Sequence, residues 1–489
     1  MNKAILILDC GATNVKACLV NPRGKIISSH SMPNTTVPDP HLPGGLIWDI
    51  DDIWDKLIIC SMQAAAAAQD TEIIAVTVTT FGVDGAPLKK DGTLCYPVIS
   101  WQCSRTEAVE KNIGKYFDPD LLYRITGLQS YHFNSINKII WLLENRPDVL
   151  DDMDYWVMMP SLILYRLSGE FITDATMAGT SMLTDLRKRN FSDAILAPLG
   201  LDPAIFPKYT EPGTIIGKVT GKAAGALGIN TGIPVVAAGH DTQFAILASG
   251  AGINQPVLSS GTWEILMVRA RSEALKIPLR NTGVTIELDA RPGLVNPGVQ
   301  WVASGVLEWI SRLFYPDLAG DSSRYGTMIR DAGTVPAGCN GTRIIPELFP
   351  GGFSRKKSLI SGLSHETTRA TIFRAGLEAL SCYLAYGLEK LQQVGNYTAR
   401  DLICVGGGSK NKLWNQIRAD VLGIPVKALD MKETTALGAA MTAFTGLGIY
   451  RSDEQAFTAI ESSYEVFEPG ENSDRYREIY NGYIMEVFN

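Results

Sequence analysis

The sequence has few of the residues that mark disulfide-bonded or metal-bound proteins. Only eight cysteines and five histidines occur among its 489 residues. No two cysteines stand in a Cys-x-x-Cys spacing, and no two histidines form a His-Glu-x-x-His pattern. Both spacings are typical of redox or zinc sites. We therefore expect buried, reduced cysteines and no transition metal held by the protein itself.

Long apolar segments are also missing. The first apolar run, Ala4–Leu8, stops at Asp9, so it is shorter than the apolar core of ~7–15 residues in a signal peptide. No window approaches the ~18 apolar residues that a membrane-spanning helix needs. These absences predict a cytoplasmic protein with no membrane partner.

Clusters of basic residues and the common nucleotide motifs are absent as well. The net charge is −7, and the 44 lysines and arginines are scattered, which argues against a nucleic-acid partner. No Gly-x₄-Gly-Lys-[Ser/Thr] motif occurs, so a Walker-type site is excluded. No Gly-x-Gly-x-x-Gly follows the first predicted strand, which weakens a dehydrogenase interpretation.

The patterns that are present predict an α/β protein. A chain of 489 residues is too long for one hydrophobic core, so two domains are expected. Strands and helices are mixed along the chain, which favours the α/β class. The predicted strands are Ala4–Leu8, Lys16–Val20, Lys25–Ser29 and Ile73–Thr79, and the predicted helices include Asp51–Gln69, Ser135–Asn145 and Thr367–Val394.

The second half of the chain repeats the scheme with which the first half opens. Pro256–Val268 reads as an apolar strand, a turn containing Gly261 and Thr262, and a second apolar strand. The backbone N–H groups and threonine hydroxyl of such a turn suit phosphate oxygens, although any hairpin can contain these residues. The small residues near Ala248–Gln255 predict a boundary between domains 1–248 and 249–489.

Two carboxylates follow apolar strands. Asp9 ends the first strand, where a carboxylate can serve Mg²⁺ together with substrate phosphates or accept hydrogen bonds from turn amides. Asp241, in Gly239-His240-Asp241, follows the predicted strand Pro234–Ala238. There it can deprotonate an alcohol or cap a helix. Together the two carboxylates suggest transfer of phosphate from a nucleotide to an alcohol.

Three further segments contain small residues at informative places. Thr79–Ala86 puts Asp84 beside glycines, where its carboxylate can bind a polyol or cap a turn. Gly406-Gly407-Gly408 lies between a predicted strand and a helix, as in sites where ligands approach the carboxyl edge of a sheet. The small residues of Glu433–Ala440 predict a helix packed closely against a neighbour.

Four of these segments resemble the motifs of the FGGY carbohydrate kinases, in family order. They are Asp9–Asn14, Gly239–Asp241, Ser260–Thr262 and Gly406–Gly408, and the resemblance extends over nearly the whole chain. The family belongs to the actin-like ATPase group. The resemblance therefore implies two ribonuclease-H-like domains with the active site in the cleft between them.

The resemblance also implies a role for individual residues. Asp241 would be the catalytic base, and Asp9 would act near Mg²⁺, through water. The remaining residues implied at the nucleotide are Gly11, Thr13, Asn14, Lys16, Gly261, Thr262, Glu308, Gly406, Gly407 and Asn411. The residues implied at the sugar are Gly82, Asp84, Trp101, His240, Asp241, Thr242 and Gln300.

The activity implied by the resemblance is ATP- and Mg²⁺-dependent phosphorylation of a deoxyketose, with L-fuculose converted to L-fuculose 1-phosphate as the expected reaction. L-rhamnulose, another ketose or a dihydroxyketone is the alternative acceptor, and a non-catalytic sugar or ATP sensor is a remote alternative. Many family members carry Asp where this chain has Cys103, so the contribution of Cys103 to the sugar site is left open. A homodimer is compatible with the sequence, which does not determine the oligomeric state.

Overall fold

The computed structural model describes residues 2–348, 357–431, 433–460 and 463–488. Its residues group into two units, each assembled from three parts of the chain. The first unit contains Met1–Gly250, Thr285–Val295 and Glu433–Glu461. The second contains Ala251–Val284, Asn296–Lys432 and Ser462–Asn489. Two segments of the second half of the chain therefore pack with the first unit, and a single boundary at residue 248 stays a prediction.

The first unit is built on a six-stranded sheet. Its strands are β1 (Asn2–Cys10), β2 (Asn14–Val20), β3 (Ile26–Pro33), β4 (Thr71–Thr80), β5 (Ile215–Lys218) and β6 (Pro234–Val236), in the order β5-β6-β4-β1-β2-β3. Strands β1, β2 and β3 are antiparallel, whereas β4 runs parallel to β1, and β6 to β4. Residues Ala4–Leu8 are all fully buried, as expected for a central strand with both faces covered.

The second unit contains a sheet with the same arrangement. Its main strands are β7 (Pro256–Ser260), β8 (Trp263–Val268), β9 (Leu294–Val302), β10 (Leu402–Val405), β11 (Val426–Leu429) and β12 (Tyr464–Phe467), in the order β9-β8-β7-β10-β11-β12. Again the first three are antiparallel, and β10 and β11 follow in parallel. The repeated hairpin predicted from the sequence is confirmed.

Helices connect and cover the strands. They are α1 (Ile50–Ala66), α2 (Glu107–Lys111), α3 (Pro119–Thr126), α4 (Ser135–Asn145), α5 (Pro147–Asp152), α6 (Met159–Ser168), α7 (Ala175–Ala178), α8 (Asp193–Leu196), α9 (Gly221–Leu227), α10 (Asp241–Ala248), α11 (Ser304–Phe314), α12 (Arg324–Gly333), α13 (Arg369–Gly395), α14 (Lys412–Leu422), α15 (Thr434–Gly446), α16 (Asp453–Ala459) and α17 (Ser473–Tyr483). Among the described helices, none combines the length and apolarity required to cross a membrane.

Short strands complete the structure. They are Val37–Pro38, Leu46–Trp48, Gly85–Leu88, Val98–Ile99, Tyr155–Met158, Ile172–Asp174, Thr184–Asp185, Asn190–Phe191, Lys208–Thr210, Ala270–Arg271, Thr285–Leu288, Arg343–Ile345 and Leu359–Ser361. All eight cysteines are free thiols, and all except Cys95 are buried. Their burial agrees with their interpretation as small apolar residues.

Candidate active site

The pairing of β1, β4 and the segment after β6 brings the two predicted carboxylates to one edge of the first sheet. Asp9 lies opposite Thr79 in the parallel pair of β1 and β4. One residue further along β4, Thr80 forms a bridge with His240, and its backbone N–H donates to the carbonyl of Gly239 over 3.0 Å. The carboxyl ends of parallel strands are where ligands bind in open α/β sheets.

Asp9 is a partly exposed carboxylate with a perturbed pKa. Its Oδ1 accepts a hydrogen bond of 2.8 Å from the Thr79 hydroxyl. Burial and, next, the negative charge of Asp241 raise the pKa of Asp9 to about 7. Lys16 opposes this shift, but its Nζ is paired with Glu433 Oε2 at 2.5 Å. A cation placed here would therefore favour the ionised form of Asp9.

Asp241 is the first residue of α10, and the preceding His240 is its N-cap residue. The alternative that Asp241 itself caps the helix is therefore wrong. Its Oδ1 accepts from the backbone N–H of Thr242 at 2.6 Å, and the side chain is 32% exposed. Burial raises the pKa of Asp241, and the neighbouring His240 opposes that rise. The carboxylate thus stands at the positive end of a helix dipole, where a proton can reach it.

Helix α10 packs tightly on α15 through a glycine. A Cβ added to Gly438 would overlap with the carbonyl oxygen of Phe244, so only glycine fits at this crossing. The predicted close packing of the small-residue helix is confirmed. Because Asp241 begins α10, this contact also fixes the direction from which its carboxylate enters the site.

Asp174 supports the turn before Asp241, and sequence reasoning did not identify it. It caps α7, where its Oδ1 accepts from the backbone N–H of Thr176 at 2.8 Å and of Met177 at 3.1 Å. The Thr176 hydroxyl accepts a hydrogen bond of 2.8 Å from the His240 backbone. Side chains of both Asp174 and Thr176 would overlap with a Cβ at Gly239. Glycine is therefore required in Gly239-His240-Asp241.

His240 lies between two carboxylates. Its Nε2 is 3.4 Å from Asp241 Oδ1, and its Nδ1 is 3.3 Å from Glu287 Oε2. Glu287 comes from the segment Thr285–Val295, which packs with the first unit, and its Oε2 also accepts from Gln243 Nε2 at 2.6 Å. No motif surrounds Glu287 in the sequence, so only the fold reveals it.

Asp84 is fully buried and held by three donors. Lys138 Nζ forms an ion pair with Oδ1, while Trp48 Nε1 at 2.7 Å and the Trp101 backbone N–H at 3.1 Å donate to Oδ2. Burial raises the pKa of Asp84 and lowers that of Lys138, because it disfavours both charges. The prediction that Asp84 faces a sugar stays untested. What the structure assigns to this carboxylate is the anchoring of the Trp101 backbone.

The neighbouring Gly82 lies beside His240 of the Gly239–Asp241 segment. A Cβ at Gly82 would lie 2.9 Å from His240 Nε2, so the absence of a side chain leaves room for the imidazole. One half-buried aromatic ring lies beside Trp101: the Phe133 ring is 6.4 Å from it, and Phe133 in turn stacks on Tyr131 at 5.0 Å. Sugar sites often present such apolar surfaces beside a few polar groups.

Cys103 is buried behind this region rather than open to solvent. Its Sγ accepts from Arg105 Nε at 3.1 Å and from the Leu46 backbone at 3.3 Å. Burial alone would raise the pKa of Cys103, but these donors outweigh it and lower the pKa. Arg105 also pairs with buried Asp39 at 2.6 Å. At the position where many family members carry Asp, this chain therefore has a thiol that accepts a hydrogen bond from Arg105 of the Arg105–Asp39 ion pair.

The turn between β1 and β2 is short and closed by its own backbone. The Gly11 N–H donates to the carbonyl of Asn14 over 2.9 Å, and Thr13 and Asn14 are exposed at the tip. The hydrogen bond to the Asp9 carboxylate comes from Thr79 of the neighbouring strand rather than from this turn. An exposed hydroxyl and amide at such a turn suit the approach of phosphate oxygens.

In the second unit, the β7–β8 turn adjoins the glycine segment after β10. Gly406 has a left-handed φ of 88°, and a Cβ there would lie 2.7 Å from the carbonyl oxygen of Ser260. Asn411 caps α14 by accepting from the backbone N–H of Trp414 at 3.1 Å. Gly261 and Thr262 form the neighbouring turn, and Gly407 begins a single 3₁₀ turn.

A buried ionic network fixes that arrangement. Arg418 pairs with Glu264, and its Nη2 donates to Ser260 Oγ at 2.8 Å. The remaining predicted residues of this unit are less closely gathered. Glu308 is exposed on α11 and accepts from Tyr325 at 2.6 Å, and Gln300 lies in β9 opposite Ile265.

The described residues contain no cluster of three or more His, Cys, Asp or Glu side chains that would hold a metal by themselves. Mg²⁺ is commonly bound by one or two carboxylates together with substrate phosphates and water. Asp9, partly exposed at a strand end, has the chemistry that such a shared site requires.

Comparison with known proteins places this geometry in a family. The chain is 43% identical to the L-fuculokinase of Escherichia coli K12, with 96% of this chain and 97% of that protein covered. It is 27% identical to an autoinducer-2 kinase of Enterobacter sp. strain 638, covering 99% and 93%. The crystal structure of xylulose kinase from Rhodospirillum rubrum has the same fold, with a TM-score of 0.89, 23% identity and coverage of 99% and 98%.

Two family models match nearly the whole chain. The N-terminal domain of the FGGY carbohydrate kinases matches residues 4–248, and the C-terminal domain matches residues 257–447. Glycerol kinase from Plasmodium falciparum, crystallised with ADP, shares the fold with a TM-score of 0.87 at 18% identity, covering 100% of this chain and 99% of that one. The two-domain α/β fold expected from the motifs is confirmed, and the chain belongs to the FGGY family of carbohydrate kinases.

Proposed function

We propose that this carbohydrate kinase transfers the terminal phosphoryl group of MgATP to the 1-hydroxyl of a deoxyketose, L-fuculose. The supporting observation is the meeting of Asp9 and Asp241 at one sheet edge, close enough for the charge of Asp241 to raise the pKa of Asp9. The 43% identity to an L-fuculokinase over nearly the full length of both proteins supports the choice of acceptor.

In the proposed reaction Asp241 is the general base. The acceptor oxygen forms a bond to the terminal phosphorus of ATP while the bond from that phosphorus to ADP breaks. The hydroxyl proton passes to Asp241 and then to solvent. Because the transition state is loose, the protein contributes chiefly position and charge neutralisation. A partly exposed carboxylate at a helix start, held by the Thr242 backbone, fits that task.

Asp9 is the residue proposed to face Mg²⁺, through water. When bound, Mg²⁺ would supply positive charge that offsets the negative charge of the phosphates. The tip residues Thr13 and Asn14, with Lys16, are proposed for the phosphates. In the second unit, Gly261 and Thr262 are proposed for the phosphates.

The proposed adenine site lies in the second unit and comprises Gly406, Gly407 and Asn411. Glu308, in the same unit, is proposed near the nucleotide. The proposed sugar residues are Gly82, Asp84, Trp101, His240, Asp241, Thr242 and Gln300. Asp84 also accepts a hydrogen bond from the Trp101 backbone.

The aromatic cluster of Trp101, Phe133 and Tyr131 supports an acceptor with an apolar end. A 6-deoxyketose ends in a methyl group where the corresponding ketohexose ends in a hydroxymethyl group, and burial of a methyl group contributes about 0.8 kcal/mol. The autoinducer-2 kinases at 27–29% identity make a dihydroxyketone the second candidate acceptor.

A panel of acceptors tests the proposal. Purified protein with MgATP would receive L-fuculose, L-rhamnulose, D-xylulose or a dihydroxyketone, and ADP release would give kcat/KM for each. We expect the highest value for L-fuculose. A higher value for another acceptor would overturn the substrate assignment, and ADP release that does not depend on any acceptor would favour a sensor.

Asp241→Asn tests the base. Its amide oxygen can still accept from the Thr242 backbone, so we expect ATP binding to persist while kcat falls by about 10²–10⁴-fold, the usual contribution of a general base. The matched control is Asp70→Asn, an exposed carboxylate between α1 and β4, which should retain wild-type turnover. Wild-type turnover in Asp241→Asn would refute the assignment.

A further inference from the structure

Glu287 completes a row of three side chains that ends at the base. Asp241 Oδ1 and His240 Nε2 are 3.4 Å apart, and His240 Nδ1 and Glu287 Oε2 are 3.3 Å apart. Each imidazole nitrogen therefore faces one carboxylate. The His240 and Glu287 side chains are only 11% and 15% exposed, so water screens these interactions poorly.

The Glu287 end of the row is held in place by neighbouring contacts. Glu287 Oε2 accepts from Gln243 Nε2 at 2.6 Å. Its neighbours in the chain, Ile286 and Leu288, are buried, and the Ile286 backbone N–H donates to the carbonyl of Gly127 over 2.8 Å. The backbone at Glu287 is therefore fixed by buried neighbours and by a backbone hydrogen bond within the first unit.

The charges around His240 favour its protonated form. Burial alone would lower the pKa of His240, but Glu287 first, and then Asp241 and Asp174, raise it. An imidazolium in this place offsets the mutual repulsion of the carboxylates at the sheet edge, to which Asp9 also contributes. Neutralising Glu287 would remove the charge that contributes most to raising the pKa of His240, and it would remove the ionic partner of Nδ1.

We propose that Glu287 is a positioning residue of the phosphoryl-transfer site, which acts through His240 by holding the imidazole cationic and aimed at the carboxylate of the base. The inference rests on the proposed role of Asp241. The inference gives a role to Glu287, which lies outside the sequence motifs described above. Glu287 reaches the acceptor chemistry only through His240 and Asp241.

The test compares Glu287→Gln and Glu287→Asp with the wild type. The control is Glu72→Gln, which neutralises an exposed carboxylate on β4. Turnover of L-fuculose with MgATP would be measured from pH 5.5 to 9. The His240 resonance would be followed over the same range by NMR of histidine-labelled protein without nucleotide, with His240→Gln to assign the signal among five histidines.

We expect the His240 titration midpoint to fall by at least about one pH unit in Glu287→Gln, a tenfold change in proton affinity. The kcat of this variant should be about tenfold below wild type at a pH where the ring is protonated in the wild type and neutral in the variant. The two kcat values should converge as the pH rises above both measured His240 midpoints. Glu287→Asp, which keeps the charge, should recover part of the loss, and Glu72→Gln should behave as wild type.

An unchanged His240 titration and an unchanged pH profile in Glu287→Gln would overturn the inference. A loss of equal size at every pH would overturn it too, since that result indicates a merely structural role. The NMR titration does not depend on catalysis, so it remains informative if L-fuculose is not the acceptor. Full activity of Asp241→Asn would instead remove the proposed base and leave the His240–Glu287 titration result standing.

Discussion

Replacing Asp174 with Asn probes a buried carboxyl group that packs against the Gly239–Asp241 turn. Asp174 is fully buried, and its Oδ1 accepts from two backbone N–H groups of α7. Despite these donors, burial raises the pKa of Asp174 to about 7. At moderately acidic pH the folded protein therefore keeps a proton here that the unfolded chain releases.

The size of the effect follows from the two pKa values. An Asp side chain in an unfolded chain titrates near 3.8, so the shift is about three units, or ~4 kcal/mol. The folded state binds the extra proton between these values, so its stability falls as pH rises from about 4 to about 7. Asparagine has no proton to lose. Asp174→Asn should therefore gain stability relative to wild type over this range, by up to ~4 kcal/mol.

Urea unfolding at a series of pH values from 4 to 8.5 would measure this difference. Other titrating groups are common to both proteins, so they largely cancel when the variant is compared with wild type. The exposed Asp70→Asn variant is the matched control, and its stability difference should stay nearly constant with pH. A constant difference for Asp174→Asn would show that Asp174 ionises normally, and the argument from burial would be wrong.

Two substitutions test the packing that positions the site. Gly438→Ala would drive a methyl group into the Phe244 carbonyl, so thermal unfolding should show a loss of about 1–3 kcal/mol and kcat should fall because α10 moves. Gly333→Ala on α12, where a Cβ meets open space, should be neutral or stabilising, and equal behaviour of the two variants would contradict the overlap. Lys138→Met would leave buried Asp84 without its cation, at a cost of about 3–5 kcal/mol in urea unfolding. Adding Asp84→Asn should recover most of that loss, and no recovery would argue against the ion pair.

Local patterns were sufficient to predict many elements of this chain. The helix predicted at Ser135–Asn145 has those bounds in the structure, since its apolar periodicity and Pro147 are local signals. The first strand was predicted as Ala4–Leu8 and extends over Asn2–Cys10, because hydrogen bonds to both neighbouring strands continue beyond the apolar run.

Some residues of the candidate site could also be predicted from local sequence, and others could not. Asp9 and Asp241 stand beside glycines at strand ends, so their chemistry could be predicted from the sequence, and the family motifs supplied the proposed roles. Glu287 and Lys138 could not be predicted, because each lies far along the chain from its partner and no motif marks it. Asp174 caps a helix locally, but its place beneath Gly239 is visible only in the fold. The prediction that Asp84 lies at the sugar stays untested, and only the structure shows that its carboxylate pairs with Lys138 and accepts from the Trp101 backbone.

Residue patterns within short segments were enough to predict the fold class, the repeated hairpin and the family. Which charges face one another could be learned only from the folded chain. The pKa of Asp9 depends on the parallel pairing of β1 with β4 and on the nearby charge of Asp241. The ion pair of Asp84 depends on Lys138 of α4, and the place of His240 between two carboxylates depends on the return of Thr285–Val295 to the first unit. Electrostatic interactions depend on the distance between charges and on their burial, and neither quantity can be read from the amino-acid sequence alone.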